Sequence, residues 1–293
     1  MDNRGSAVAV GVRAGLRAEW AVRLARSRPA TVGASIVAGV VLVAVLARVL
    51  APYSYEDTDL LQVWGGPSAA HWLGTDNLGR DTLSRLLVGA QVSLAVACSV
   101  LLVTLTVGVA LGMMAGYVGG VADALVMRTA DVIFAFPELI FAILLATVLG
   151  AGTRTVIAAL ALVWWPGIAR LTRSLVLALR TALFIEAAVA CGTPRRVILW
   201  RHLLPNIVAP IITRASIGVG FIVTAEATLS FLGIGIQEPL PSWGGMIRDG
   251  LPALRTNPHL ALFASLAVGL TIMGFNLLGD GLRDVLDPRT HDR

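Results

Sequence analysis

Six apolar runs punctuate the chain, at residues 31–51, 93–117, 132–150, 155–169, 207–232 and 260–278. A bilayer core about 30 Å thick takes roughly 20 helical residues to cross. The runs therefore predict an all-α polytopic membrane protein with about six transmembrane helices. The first run is interrupted only by Arg48, near its end. The third holds Pro137 and Glu138, and the fifth holds Arg214 and Glu226. Between them the pattern divides the chain into a basic N-terminal segment 1–30, an anchor helix 31–51 and an outer loop with a pre-helix segment 52–92. A core 93–279 follows, with a long polar loop at 170–206, and then a tail 280–293.

Composition agrees with the pattern. The chain is 56% hydrophobic and 14% charged, where a soluble domain carries about 25% charge. Its 23 basic residues are all arginine, which removes every motif that needs a lysine, the GxxxxGK[ST] phosphate loop included. The net charge of +5 is scattered between apolar runs, which fits basic loops at a membrane and not nucleic-acid binding. If the N-terminus is cytoplasmic, sixteen arginines fall in cytoplasmic segments, five in outer loops and two, Arg48 and Arg214, within spans. This is the positive-inside asymmetry, and it places both termini in the cytoplasm. The first run is long for a signal-peptide core and has no small-residue cleavage site, so it reads as a retained anchor. Residues 8–26 fit either a helix on the membrane face or a basic tail. Cys98 and Cys191 form neither a disulfide framework nor a metal site.

The 170–206 loop is richer than a simple crossover needs. Residues 186–206 read EAAVACGTPRRVILWRHLLPN. Small residues Ala187, Ala188 and Ala190 suit a short helix that lets another surface come close. Gly192 can end that helix in a left-handed conformation, Thr193 can cap the next one, and Pro194 can open it. Leu204-Pro205 marks the approach to the fifth span. Residue chemistry alone leaves two readings, an amphipathic loop packed on its own bundle and a docking element gripped at Glu186.

Several stretches carry a family resemblance. Glu186-Ala187-Ala188, Gly192 and Leu204-Pro205 resemble, in spacing and position, the cytoplasmic EAA loop of permease subunits in ATP-binding-cassette importers. HWLGTDNLGRDTLSRLLVGAQVSL at 71–94, EATLSFLGIGIQEPLPSWGGMI at 226–247 and NLLGDGLRDVLDPR at 276–289 resemble the dipeptide, oligopeptide and nickel permease family. The anchor fits its subunit type with an extra first helix. Two departures are the apolar TALFI before Glu186 and His202, where the broader pattern favours isoleucine.

The resemblance implies a type I importer permease fold in a bacterial cytoplasmic membrane, with lipid around it. It implies half of a pathway shared with a sister permease, two ATPase subunits or domains that hold ATP and Mg, and an extracytoplasmic substrate-binding protein. No cofactor or metal is expected in this chain. Glu186 would meet a basic or polar ATPase residue, Ala187 and Ala188 would allow close packing, and Gly192 would supply the turn, with Thr193, Pro194, Leu204 and Pro205 completing the coupling loop. The cargo would be a dipeptide or oligopeptide, alternatively a nickel chelate, glutathione or another small molecule. A stand-alone proton-coupled carrier fits less well, because no inverted repeat or central set of paired ionisable residues is visible. No HExxH or GxSxG motif points to an enzyme.

The remaining polar residues have plainer readings beside functional ones. Glu138 either lines the pathway or serves the kink at Pro137. Glu226 is either structural or pathway-lining. Asp76, Arg80 and Asp81 are expected to pair internally and shape the outer vestibule, in preference to contacting the delivery protein directly. Trp164 and Trp165 read as packing or interfacial residues.

Overall fold

A computed structural model describes residues 27–286, so the basic segment up to residue 26 and the tail from residue 287 lie outside the described residues. Helix α1 spans Arg28–Leu50, with Ser27 as its N-cap. Helix α2 spans Thr82–Val118, α3 Gly120–Phe134, α4 Glu138–Leu149 and α5 Thr153–Leu179. The short α6 spans Leu183–Ala190. A single turn, Arg195–Val197, and a wide π-helical segment, Ile198–Leu203, then lead into α7, Leu204–Phe231. Helix α8 spans Trp243–Gly250 and α9 His259–Leu286. Among the described residues there is no strand, only an isolated bridge between Thr75 and Asp81.

Among the described residues five helical stretches are long and apolar enough to cross a membrane, and a sixth is counted if the sharply bent α3–α4 pair is taken as one span. The expected run 132–150 is not one helix. It belongs to α3 and α4, which meet at 91°. Pro137 has no N–H to continue α3 and forces the residue before it out of helical geometry, so it becomes the N-cap of α4. The run 155–169 also proves short of its helix, which continues to Leu179 because Arg170 and Arg173 find carboxylate partners on α3. The pre-helix segment ends early too. At Thr82 the chain is already helical, and α2 at 37 residues is about 55 Å long, well beyond a bilayer core. The last helix runs past residue 278 to Leu286, so the expected tail boundary at 280 falls inside α9.

Packing follows small residues. On α2, Gly108, Gly112 and Gly116 face α5, and a Cβ at Gly112 would sit 2.5 Å from the Ala169 carbonyl oxygen. That four-residue spacing lets the two backbones approach, as small-xxx-small faces do in membranes. Helix α1 lies outside the bundle against α9. A Cβ at Gly33 would lie 2.4 Å from the Leu278 amide nitrogen, while Val45 and Val49 on α1 are largely exposed.

The bundle has two distinct ends. At one, α6 and the π-segment cover the ends of α2, α5 and α7. At the other, residues 51–81 and 232–258, including α8, form a cap.

Candidate functional site

The cap is organised by charge. Asp76 Oδ2 accepts from Arg80 Nε at 2.7 Å, and Arg85 Nε lies 3.2 Å from the same oxygen. Arg80 Nη2 donates at 2.9 Å to Glu238, which comes from the far loop. Burial opposes the Arg80 charge, but hydrogen bonds to Glu238 and Asp76 outweigh it and raise its pKa. The same contact with Arg80 holds the Glu238 carboxyl below its ordinary value. Asp81 N-caps α2 through the Ser84 amide at 2.7 Å and turns its other oxygen to His71 Nδ1 at 2.9 Å. Asp76, Arg80 and Asp81 therefore pair internally, as expected. Arg85 and Glu238 were missed, because a contact between Arg80 and a residue 158 positions away leaves no local signal.

At the opposite end the EAA stretch folds as a helix, a turn and a helix. Helix α6 carries Glu186, Ala187 and Ala188. Gly192 takes φ +75°, the left-handed conformation expected of it. The Gly192 amide donates to Val189 O at 2.9 Å and the Thr193 amide to Ala188 O at 3.0 Å. These are the paired bonds that close a helix on a left-handed residue. The expected Thr193 side-chain cap is absent. Pro194, at φ −59° and ψ 140°, occupies the N-cap position, so the next turn starts one residue late, at Arg195. Thr193 contributes its backbone amide instead.

Leu204 and Pro205 open α7 directly after the π-segment. Pro205 has no N–H for the carbonyl four residues back and its ring crowds that carbonyl, so the wide turn falls where a regular helix would clash. Asn206 Nδ2 donates to His202 O at 2.6 Å. Ile185, Ile198 and Leu203 are fully buried in a cluster with Met113 of α2, Val176 of α5 and Ile207 and Ile211 of α7. The loop is therefore wedged into the ends of three spans. Its outer side is apolar and open: Leu183 is 84% exposed, Trp200 66% and Val189 55%, with Glu186 beside them. A cleft of about 400 Å³ next to this surface is lined by Tyr117, Val189, Gly192, Thr193 and Arg195.

Glu138 and Glu226 have different surroundings. Glu226 is completely buried within its own chain, and its Oε1 accepts from Ser230 Oγ at 2.8 Å. That hydroxyl also accepts from the Ile236 amide at 3.1 Å, which ties the outer loop to α7. This enclosure supports the structural reading of Glu226 beside the pathway-lining one, and its Oε2 is buried without a hydrogen-bond partner. Glu138 stands exposed at the start of α4, on a cleft of about 250 Å³ that also holds Arg214, Trp164 and Phe221. Trp165, next to Trp164, is buried in packing against α3.

A bundle of long apolar helices, a sharply bent helix pair and a wedged helix–turn–helix at one end define a multi-pass membrane protein. Residues 108–292 match the inner membrane component of binding-protein-dependent transport systems, and residues 16–67 match the N-terminal transmembrane domain of oligopeptide transport permease C. The chain belongs to this family of importer permeases. It is 42% identical over 281 residues to the glutathione transport system permease protein GsiD of Pectobacterium atrosepticum, covering 95% of this chain and 92% of that protein. It is 40% identical over 267 residues to the dipeptide transport system permease protein DppC of Alkalihalophilus pseudofirmus, covering 91% and 88%. The GsiD of Escherichia coli O157:H7 is 44% identical over 270 residues, with the same coverage. The chain is thus a multi-pass inner-membrane permease of an ATP-binding-cassette importer of the dipeptide and oligopeptide type, a machine that works with ATPase and substrate-binding partners.

Proposed function

We propose that this subunit forms one half of a pathway for dipeptides or oligopeptides and takes its motion from cytoplasmic ATPases through α6 and the turn at Gly192. A sister permease supplies the other half, and ATP and Mg reside on two ATPase subunits or domains. The observation that carries the reading is the two-sided loop. Its inner side is buried in the ends of α2, α5 and α7, and its outer side offers Leu183, Val189 and Trp200 to a protein groove, with Glu186 as a charged grip. An ATPase that moves this surface moves three spans with it. The arginine asymmetry supports an orientation with the α6 end and both termini in the cytoplasm and the charged cap outside, facing the binding protein.

A second cargo reading, glutathione, is favoured by the 42–44% identity to permeases of that name. Both cargo classes are small molecules built from amino acids. The test is reconstitution in liposomes with the sister permease, the ATPases and the binding protein. ATP-dependent uptake of labelled peptide is expected. Uptake by this chain alone, without ATP, would refute the shared-pathway reading.

A further inference from the structure

Charged groups in the spans of this chain are mostly accounted for. Asp123 pairs with Arg173 and Asp131 with Arg170, while Glu226 accepts from Ser230 with one oxygen and leaves the other buried without a partner. Glu138 and Arg214 are exposed, and among the described residues neither has an ion-pair partner, as is also true of Arg48 and Arg128; what sets Glu138 and Arg214 apart is that they lie together. They share one cleft, on different helices. Arg214 lies ten residues into α7, roughly 15 Å from its start, within a helical stretch apolar and long enough to cross a membrane. Charges within such a stretch are costly unless they face water or a polar occupant.

The lining says what occupant fits. Opposite charges on two walls suit a molecule with both signs. A simple anion or cation would be repelled by one wall, and a neutral molecule would use neither. Between the charges the surface is aromatic, with Trp164 tilted on Phe221 at 6.1 Å and Phe134 capped by Arg170 at 4.5 Å. Such faces take varied side chains without reading them closely.

Gly167 forms part of the same wall, and a Cβ there would meet nothing within 4 Å. At Gly108, Gly112 and Gly116 a Cβ would collide with α5. A glycine in mid-helix weakens the helix, so it needs a reason. At Gly167 the space is open, as it is at Gly39 and Gly269, and of these three glycines only Gly167 lines this cleft.

We propose that the cleft between α4, α5 and α7 is a transit site for zwitterionic peptides, with the peptide ammonium on Glu138 and the carboxylate on Arg214. The proposal rests on the peptide-pathway reading above and adds to it a rule. The permease reads the two termini and tolerates the side chains between them.

The test uses the assembled permease–ATPase complex in lipid nanodiscs, without binding protein. A photo-crosslinker placed as Phe221→p-benzoylphenylalanine reports occupancy by radiolabelled Ala-Phe, with unlabelled Ala-Phe, N-acetyl-Ala-Phe and Ala-Phe-amide as competitors. The free peptide should compete about tenfold better than either capped form, the scale of one charge-assisted hydrogen bond. Glu138→Gln should abolish the advantage over the N-acetyl form only, and Arg214→Gln that over the amide only. Gly167→Leu should fill the cleft and suppress labelling while the complex still assembles. Equal competition by all three peptides, or ratios unchanged in both variants, overturns the site. If ATP-driven uptake by the wild-type complex, reconstituted in liposomes with its binding protein, persists in that case, the permease reading stands. Absence of both labelling and uptake overturns the site and the peptide reading together.

Discussion

The amide of Thr193 reaches back to the carbonyl of Ala188 at 3.0 Å, across a glycine held at φ +75°. That bond fixes how α6 is presented relative to the turn that follows. Any residue with a Cβ at 192 would bear roughly 1 kcal/mol of backbone strain, although the space around it is open. Gly192→Asp should therefore insert normally, yet weaken ATPase co-purification and lower uptake. Glu186→Lys should act in the same direction by reversing the charge at the grip. Thr193→Ala keeps the amide and should change stability by less than about 0.5 kcal/mol. Thr193→Pro deletes the donor and should resemble Gly192→Asp. Full docking and uptake in Gly192→Asp and Glu186→Lys would end the coupling role assigned to this loop.

Much of this architecture was legible because membrane spans write themselves as long apolar runs. The turn at Gly192 was equally plain, since glycine after an alanine-rich helix is a strong stop. The capping residue was misplaced by one position, because Pro194 adopts an extended conformation that Thr193 was expected to supply. The bend between α3 and α4 was within reach, with Pro137 in the middle of the run. What stayed hidden was long-range. Nothing local announces that Arg80 and Glu238 meet, or that Gly108, Gly112 and Gly116 seat α5 and no other helix.

The outer cap should fail when Asp76 is removed. Asp76 is 1% exposed and neutralises Arg80 and Arg85, which are 3% and 2% exposed. Asp76→Ala leaves two buried guanidinium groups with only the more exposed Glu238 as counter-charge, a loss of about 3–5 kcal/mol by the usual cost of breaking a buried pair. The expected readout is a lower thermal midpoint of the purified complex and loss of binding-protein docking. Glu238 should respond to acid. Its folded pKa is depressed, so its contribution is complete above the ordinary value of 4.5 and is lost as pH falls through the lowered one. Thermal melts across that window should show a loss in the wild type that Glu238→Gln lacks.

The anchor helix should be separable from the core. Gly33 faces the α9 backbone, with only 2.4 Å between its would-be Cβ and the Leu278 nitrogen. No flexible side chain can move aside there, so Gly33→Leu must push the helices apart, at about 1–3 kcal/mol for overpacking. Cysteine crosslinking between α1 and α9 should drop in this variant, and assembly should suffer. Cargo preference should not change, because α1 stands apart from the Glu138–Arg214 cleft. Altered selectivity with normal assembly would contradict its placement outside the pathway.

The last prediction concerns how α3 follows α5. Asp123 receives both Nε and Nη2 of Arg173, the second at 2.6 Å, and the pair is only partly exposed. About two turns further along α3, Asp131 meets Arg170, whose guanidinium also covers Phe134. Helix α3 is free at its start, where Gly119 and Gly120 take φ +72° and +58° with open space around both. It is then latched to α5 by these ion pairs and released again at the bend before Pro137. Motion delivered to α5 through the coupling loop should therefore reach the broken span through Arg173 and Arg170. Bidentate geometry favours a measurable coupling, on the order of 1 kcal/mol for a half-exposed pair. Arg173→Gln and Asp123→Asn should each leave ATPase docking intact and reduce the uptake obtained per ATP hydrolysed. The double variant should be no worse than either single one, because both remove the same link. Strictly additive losses in that cycle would show that the two residues act separately and that α3 is not driven through this pair.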